Sequence, residues 1–295
     1  QLLEPEQLLE PEQLFEVIAV TKNNIHLPIG VFDSGVGGVS VLAKLVSFLP
    51  AEQYIYYADS RNAPYGVRSL EEVRSLSLNV VNFLIDQGIK ALVVACNTAT
   101  SVVINELRAT MAIPVIGMEP ALKPAVELTP EGTILVMATP LTLSQQKFNN
   151  LLHRFEDQAN ITPLPCPNLM ELIEAGNTQG PLIDAYLEKL FSGHKQSSIS
   201  AVVLGCTHYV FIRDAVKKLL GPGVQVLDGN CGTAKHLANV LAREGLLVPE
   251  SPAEVVSAAG AAPVFYTSGD SRLVVPLCEE LLHRELSIQL SQPKC

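Results

Sequence analysis

The sequence predicts an α/β protein with parallel sheets, and three observations carry that expectation. Short, near-continuous apolar runs alternate with amphipathic stretches from Ile29 onward, the pattern of buried parallel strands joined by helices. Two of the runs end in matched cysteine motifs, LVVACNT at Leu92–Thr98 and VVLGCTH at Val202–His208. Each motif also follows an earlier strand end at a similar distance: Asp33 precedes Cys96 by 63 positions, and Thr139 precedes Cys206 by 67. Two similar halves facing one another would bring these four strand ends together. Chance similarity between two α/β segments is the competing explanation on these separations alone.

The elements follow in order. QLLEPE occurs twice in tandem at residues 1–12 and begins a third time at Gln13. Pro5 and Pro11 interrupt a long helix there, although each suits the first turn of a short one. This segment is either a poorly anchored appendage or a regulatory or docking extension. The strand candidates are then Ile29–Phe32, Tyr54–Ala58, Leu92–Ala95, Val115–Gly117, Thr133–Ala138, Ala201–Gly205 and Val224–Leu227. Helical patterning falls on Val36–Phe48, Leu70–Gln87, Ser101–Met111, Leu143–Phe155, Tyr209–Leu220 and Thr233–Glu244.

Composition narrows the function classes. The 295 residues are 48% hydrophobic with a mean hydropathy of +0.28, ample for one large or two smaller domains. A net charge of −10 and a pI near 5.1 argue against sequence-independent nucleic-acid binding, which needs a basic face. No apolar run approaches the roughly 18–20 residues that span a bilayer, and the acidic N-terminus does not read as a secretory signal. The expectation is therefore a cytoplasmic protein that contacts neither nucleic acid nor membrane. The six cysteines, at 96, 166, 206, 231, 278 and 295, lack CxxC spacing. They are expected to be reduced, and no metal site is expected among them.

Ligands of open α/β sheets bind beyond the carboxyl ends of the strands. Four polar clusters stand at such ends: Asp33-Ser34-Gly35, Cys96-Asn97-Thr98, Ala138-Thr139 and Cys206-Thr207-His208. None is a nucleotide fingerprint, since Gly35, Gly37 and Gly38 give GVGG rather than GxGxxG. Those glycines suit a tight strand-to-helix turn whose free N–H groups hold a carboxylate. Cys96 or Cys206 alone reads equally as a small buried residue, and a lone His208 as structural. Asp33 either binds something or caps the next helix. The matched pair of cysteine clusters is the stronger signal, but it does not name a reaction.

The motifs together do. IGVFDSGVGGVSV (Ile29–Val41), NAPYG (Asn62–Gly66), VVACNTAT (Val93–Thr100), IPVIG with EPA (Ile113–Ala121), ATPLT (Ala138–Thr142), CPNLMELIE (Cys166–Glu174), VVLGCTH and TSGD (Thr267–Asp270) occur in this order. In that order the chain resembles the aspartate/glutamate racemase family, and its glutamate racemases in particular. The resemblance implies two similar α/β domains related by a pseudo-twofold, with the active site in the cleft between them. Its domain limits are 29–119 plus 231–295 for the first and 120–230 for the second, after an extension at 1–28. It implies interconversion of L- and D-glutamate without a cofactor, supplying D-glutamate for peptidoglycan, in a homodimer. Cys96 and Cys206 match the catalytic cysteines, Cys96 acting on the D-isomer and Cys206 on the L-isomer. Asp33, His208 and Glu174 match their assistants. Asp33, Ser34, Tyr65, Gly66, Asn97, Thr98, Thr139, Thr142, Thr207 and His208 match substrate-binding positions. A peptidoglycan-precursor activator acting through the N-terminal extension is a further implied partner.

Val210, Gly229 and Thr100 depart from the residues common in the family, outside both cysteines. Aspartate or another acidic amino acid is the alternative substrate, and a non-catalytic binding relative is the alternative class. Racemisation removes an α-proton from one face and returns one to the other, so two opposed acid/base groups are the direct solution. An ordinary thiol with pKa near 8.5 needs help from its surroundings to do this.

Overall fold

A computed structural model describes residues 25–129, 131–194, 199–249 and 262–290. The QLLEPE repeat and Cys295 lie outside the described residues. The chain runs β1 (Ile29–Asp33), α1 (Val39–Phe48), β2 (Tyr54–Ala58), α2 (Leu70–Asp86), β3 (Ala91–Val94), α3 (Asn97–Thr110) and β4 (Val115–Gly117). It continues through α4 (Leu122–Leu128), β5 (Thr133–Ala138), α5 (Pro140–Ser144), α6 (Gln146–His153), β6 (Asn160–Pro165), α7 (Leu169–Glu174), α8 (Pro181–Phe191) and β7 (Ile199–Leu204). A 3-10 helix at Thr207–Ile212 leads to α9 (Arg213–Leu220), β8 (Gln225–Asp228), α10 (Asn230–Glu244), β9 (Val264–Thr267) and α11 (Ser271–Leu290).

Two all-parallel sheets result, ordered β4-β3-β1-β2-β9 and β6-β5-β7-β8. The second, taken from its other edge as β8-β7-β5-β6, matches the first four strands of the first position for position. Cys96 and Cys206 therefore follow equivalent strands, β3 and β7. Asp33 and Thr139 close or follow the equivalent central strands, β1 and β5.

The continuous apolar runs have a direct physical cause: both faces of each sheet are covered. On β1, Ile29 and Val31 point into a core closed by α1, α10 and α11, while Phe32 points into one closed by α2 and α3. On β5, Leu135 and Met137 face α7, α8 and α9, and Ile134 and Val136 face α4 and α6. Each such fully buried side chain contributes about 1.5–3 kcal/mol. Leu281 of α11 packs against a core of each sheet.

Several elements differ from expectation. Leu143–Phe155 is not one helix, because Gln145 adopts an extended conformation between α5 and α6. The first part of Tyr209–Leu220 is 3-10 rather than α-helical. Strand β6 carries Pro163 and Pro165, which hid it, and it occupies a sheet edge, where a missing N–H is tolerated. The other unforeseen elements are the half-buried edge strand β9 and helices α4, α7, α8 and α11. Cys96, Cys166, Cys206 and Cys278 are free buried thiols. Among the described residues no helix is long and apolar enough to cross a membrane.

Candidate active site

Cys96 is the N-cap of α3, and its sulfur accepts the Ala99 N–H at 3.4 Å. A helix N-terminus favours negative charge at such a position. Burial acts the other way and dominates. With the nearby Asp33 carboxylate adding to it, burial pushes the Cys96 thiol up to about 12. Cys96 at neutral pH is therefore a protonated thiol, directed at Ser34 Oγ 3.5 Å away.

Cys206 is built differently. It precedes the 3-10 helix, where its sulfur lies 3.9 Å from His208 Nδ1. On the other edge of the ring, His208 Nε2 meets Glu174 Oε1 at 2.6 Å. Burial disfavours an imidazolium, but the contacts with Cys206 and Glu174 outweigh it and hold His208 well above an ordinary histidine. Burial likewise opposes the Glu174 carboxylate, but its contact with His208 and the hydrogen bond it accepts from the Val36 N–H together reverse that, leaving Glu174 below its ordinary value. The two sulfurs thus have unlike surroundings, Asp33 beside Cys96 and a cationic ring beside Cys206.

Asp33 joins the two sides. Its Oδ1 accepts the Gly35 N–H at 2.9 Å, and its Oδ2 accepts the Thr207 hydroxyl at 3.1 Å. Burial raises its pKa, with His208 and these two hydrogen bonds offsetting part of the rise. The glycine turn does hold carboxylates, but they are the protein's own, Asp33 on Gly35 and Glu174 on Val36. Gly37 is needed for closeness: an added Cβ would sit 2.4 Å from His208 Nδ1 and 2.6 Å from Thr207 Oγ1.

A second polar group crosses between the sheets. The hydroxyls of Thr98, Thr139 and Thr142 form a triangle with sides of 3.1, 3.0 and 2.9 Å. Gly66 abuts Thr139, since a Cβ there would approach within 2.8 Å. Tyr65 donates to Asp59. Asn97 is buried with neither side-chain oxygen nor nitrogen partnered, so its amide is free to meet a ligand. The residues singled out in the sequence therefore fall at the carboxyl ends of the strands or in the loops and first helical turns beyond them, except Glu174, which the last residue of α7 supplies. Asp33, Ser34, Cys96, Cys206, Thr207, His208 and Glu174 are joined by direct contacts. Thr98, Thr139, Thr142 and Gly66 form the second group, with Tyr65 and Asn97 adjoining in sequence.

Sequence reasoning missed three supports. Tyr56 donates to the Gly35 carbonyl at 2.8 Å from beneath the turn. Ser40 donates to Gly37 O at 2.9 Å and lies 3.5 Å from Thr207 O. Asp59 also receives Asn62 Nδ2 at 2.9 Å. Asp59 alone had a signal, since it follows an apolar strand just as Asp33 ends one. Among the described residues no three His, Cys, Asp or Glu side chains group as a metal site.

Paired α/β units carrying a thiol beyond each of two equivalent strands, each thiol with its own polar assistants, define an isomerase of the racemase type. The comparisons agree. The model of the Asp/Glu/hydantoin racemase family matches residues 29–237. The glutamate racemase of Clostridium botulinum (strain Hall) is 51% identical over 224 residues, 76% of this chain and 87% of that protein. Among solved structures, Francisella tularensis glutamate racemase in complex with D-glutamate superposes with a TM-score of 0.74 at 29% identity, covering 88% of this chain and 94% of that one. Escherichia coli glutamate racemase, in complex with L-glutamate and the activator UDP-MurNAc-ala, gives 0.74 at 27%, covering 88% and 95%. The chain belongs to the Asp/Glu/hydantoin racemase family.

Proposed function

We propose that the chain interconverts L- and D-glutamate by a two-base mechanism and so supplies D-glutamate for peptidoglycan. The observation that carries this reading is the placement of Cys96 and Cys206 after equivalent strands of two matching sheets, with His208 and Glu174 against one and Ser34 against the other. Glutamate as the substrate is supported by the relatives, whose names specify it at up to 53% identity.

In this reading a sulfur on one face takes the α-proton as thiolate, and the opposed thiol delivers a proton to the other face. The protonated Cys96 suits the donor role when L-glutamate is bound and Cys206 is the base. The cationic His208 keeps negative charge near Cys206 favourable during the transfer. The unpartnered Asn97 amide and the Thr98 and Thr207 hydroxyls are suited to the α-carboxylate. The Thr139–Thr142 pair, with Gly66, is suited to the side-chain carboxylate.

A homodimer, a cytoplasmic location and the domain limits given above belong to the same reading and rest on the family resemblance. So does activation by a peptidoglycan precursor, with the E. coli complex as its support. The test is replacement of each thiol: Cys96→Ala and Cys206→Ala should each abolish racemisation while leaving the protein folded. Full activity in either variant rejects the two-base reading. Competition between glutamate and aspartate fixes the substrate, and preference for aspartate would revise it.

A further inference from the structure

The loop that carries Cys206 is fastened to the crossover between the two sheets by one ion pair that the site described above does not include. The 3-10 helix after Cys206 ends at Ile212, and Arg213 opens α9. Arg213 Nη2 pairs with Asp228 Oδ2 at the end of β8. Both side chains are largely buried, at 21% and 13% exposure, a setting in which the loss of one partner is felt strongly. Asp228 Oδ1 accepts the Asn230 N–H at 2.8 Å, fixing the first residue of α10. Between them, Gly229 passes so close to the other crossover that an added Cβ would lie 2.4 Å from the Glu119 carbonyl oxygen. The pair therefore ties the Cys206 loop to the chain returning to the first sheet, and that chain packs at Gly229 against the chain leaving it. Lys44 of α1 and Glu285 of α11, from the first sheet's layer, also lie within the electrostatic reach of Arg213. Asp214 is the remaining charge facing it.

We propose that Arg213 and Asp228 are positioning residues for Cys206, holding its loop in register with the first sheet so that its sulfur meets the substrate's α-carbon. The inference rests on the reading of Cys206 as one of two racemisation bases. A displacement of about 1 Å at a reacting group costs on the order of a hundredfold in rate. The two proton transfers occur in series, and a fault in the Cys206 loop slows one of them. That one-sidedness distinguishes positioning from general damage.

The experiment compares the unsubstituted protein with Arg213→Met, Arg213→Lys and Asp228→Asn, using L-glutamate and D-glutamate each labelled with deuterium at the α-carbon. Arg213→Met and Asp228→Asn should lower kcat by roughly ten- to a hundredfold with KM little changed, and Arg213→Lys should recover part of the loss. The primary isotope effect on kcat/KM should rise with labelled L-glutamate, whose deuteron Cys206 removes, and fall with labelled D-glutamate. Isotope effects that stay constant, or move the same way for both enantiomers, overturn the proposal. Lys218→Met, which breaks an exposed pair between α9 and Asp184 of α8, should leave all four parameters unchanged. If Arg213→Met fails to fold, Arg213→Lys carries the same isotope test. If the unsubstituted protein does not racemise glutamate at all, the two-base reading fails rather than the positioning role.

Discussion

Cys96 and Cys206 follow equivalent strands but do not share an environment. Burial and Asp33 keep Cys96 a thiol, and the His208–Glu174 pair brings a cation to Cys206. Glu174 is the residue on which this asymmetry depends most plainly. Its folded-state pKa lies below its ordinary 4.5, so its pairing stabilises the fold above that pH and is lost as pH falls through the lowered value. His208 is raised above 6.5, so its share is complete below 6.5 and is lost as pH climbs through the raised value. Glu174→Gln should therefore cost about 1.5–3 kcal/mol, as for a charged hydrogen bond, most clearly between pH 4.5 and 6.5. Thermal melts across pH check this, and a cost that persisted unchanged well below pH 4 would contradict it. At this scale the sequence was legible for the cysteines because each breaks an apolar run. It was not legible for Tyr56 and Ser40, whose hydroxyls act from inside patterns that read as ordinary core.

Elements with strong local signals formed where expected, and those lacking them did not show. Helix α2 is capped by Ser69, whose hydroxyl accepts the Glu72 N–H while the Glu72 carboxylate accepts the Ser69 N–H, a reciprocal cap. Ser69→Ala should lower stability by about 1 kcal/mol and leave turnover unaltered, since the cap is exposed and its partners lie within α2; denaturant titration with a parallel rate assay decides it. The Cys96 cap of α3 is different in kind, because a sulfur does there what an oxygen usually does, so the patterning alone placed the helix start four residues late at Ser101. Strand β6 was obscured by its prolines, and α7 by its shortness, six residues that nonetheless deliver Glu174. Tertiary contacts rather than local preference define both.

The molecule repeats one strand order in its two sheets, and that repetition puts a thiol beyond each. The near-equal separations in sequence hinted at this, but only the strand pairing makes the equivalence definite. At the opposite end of the first sheet a buried ion pair fastens the chain. Lys90 pairs with Glu52 and donates to the carbonyls of Ile25 and, at 2.9 Å, Leu246, while Glu52 Oε1 accepts the Val248 N–H at 2.9 Å. Lys90→Met leaves the Glu52 charge buried without its partner and should cost about 3–5 kcal/mol. The loss should appear in the melting temperature and not in kcat of the folded fraction, because Lys90 precedes β3 and Cys96 follows it; a lower kcat at full folding would show coupling across the sheet.

The central claim is that two opposed thiols exchange the α-proton of glutamate. Its most direct measurement follows L-glutamate in deuterated water by NMR, with protein freed of pyridoxal phosphate. The two-base account predicts D-glutamate carrying deuterium at the α-carbon from the first turnovers, while the remaining L-glutamate is still unlabelled. D-glutamate that retains the original proton, or no D-glutamate at all, would contradict it.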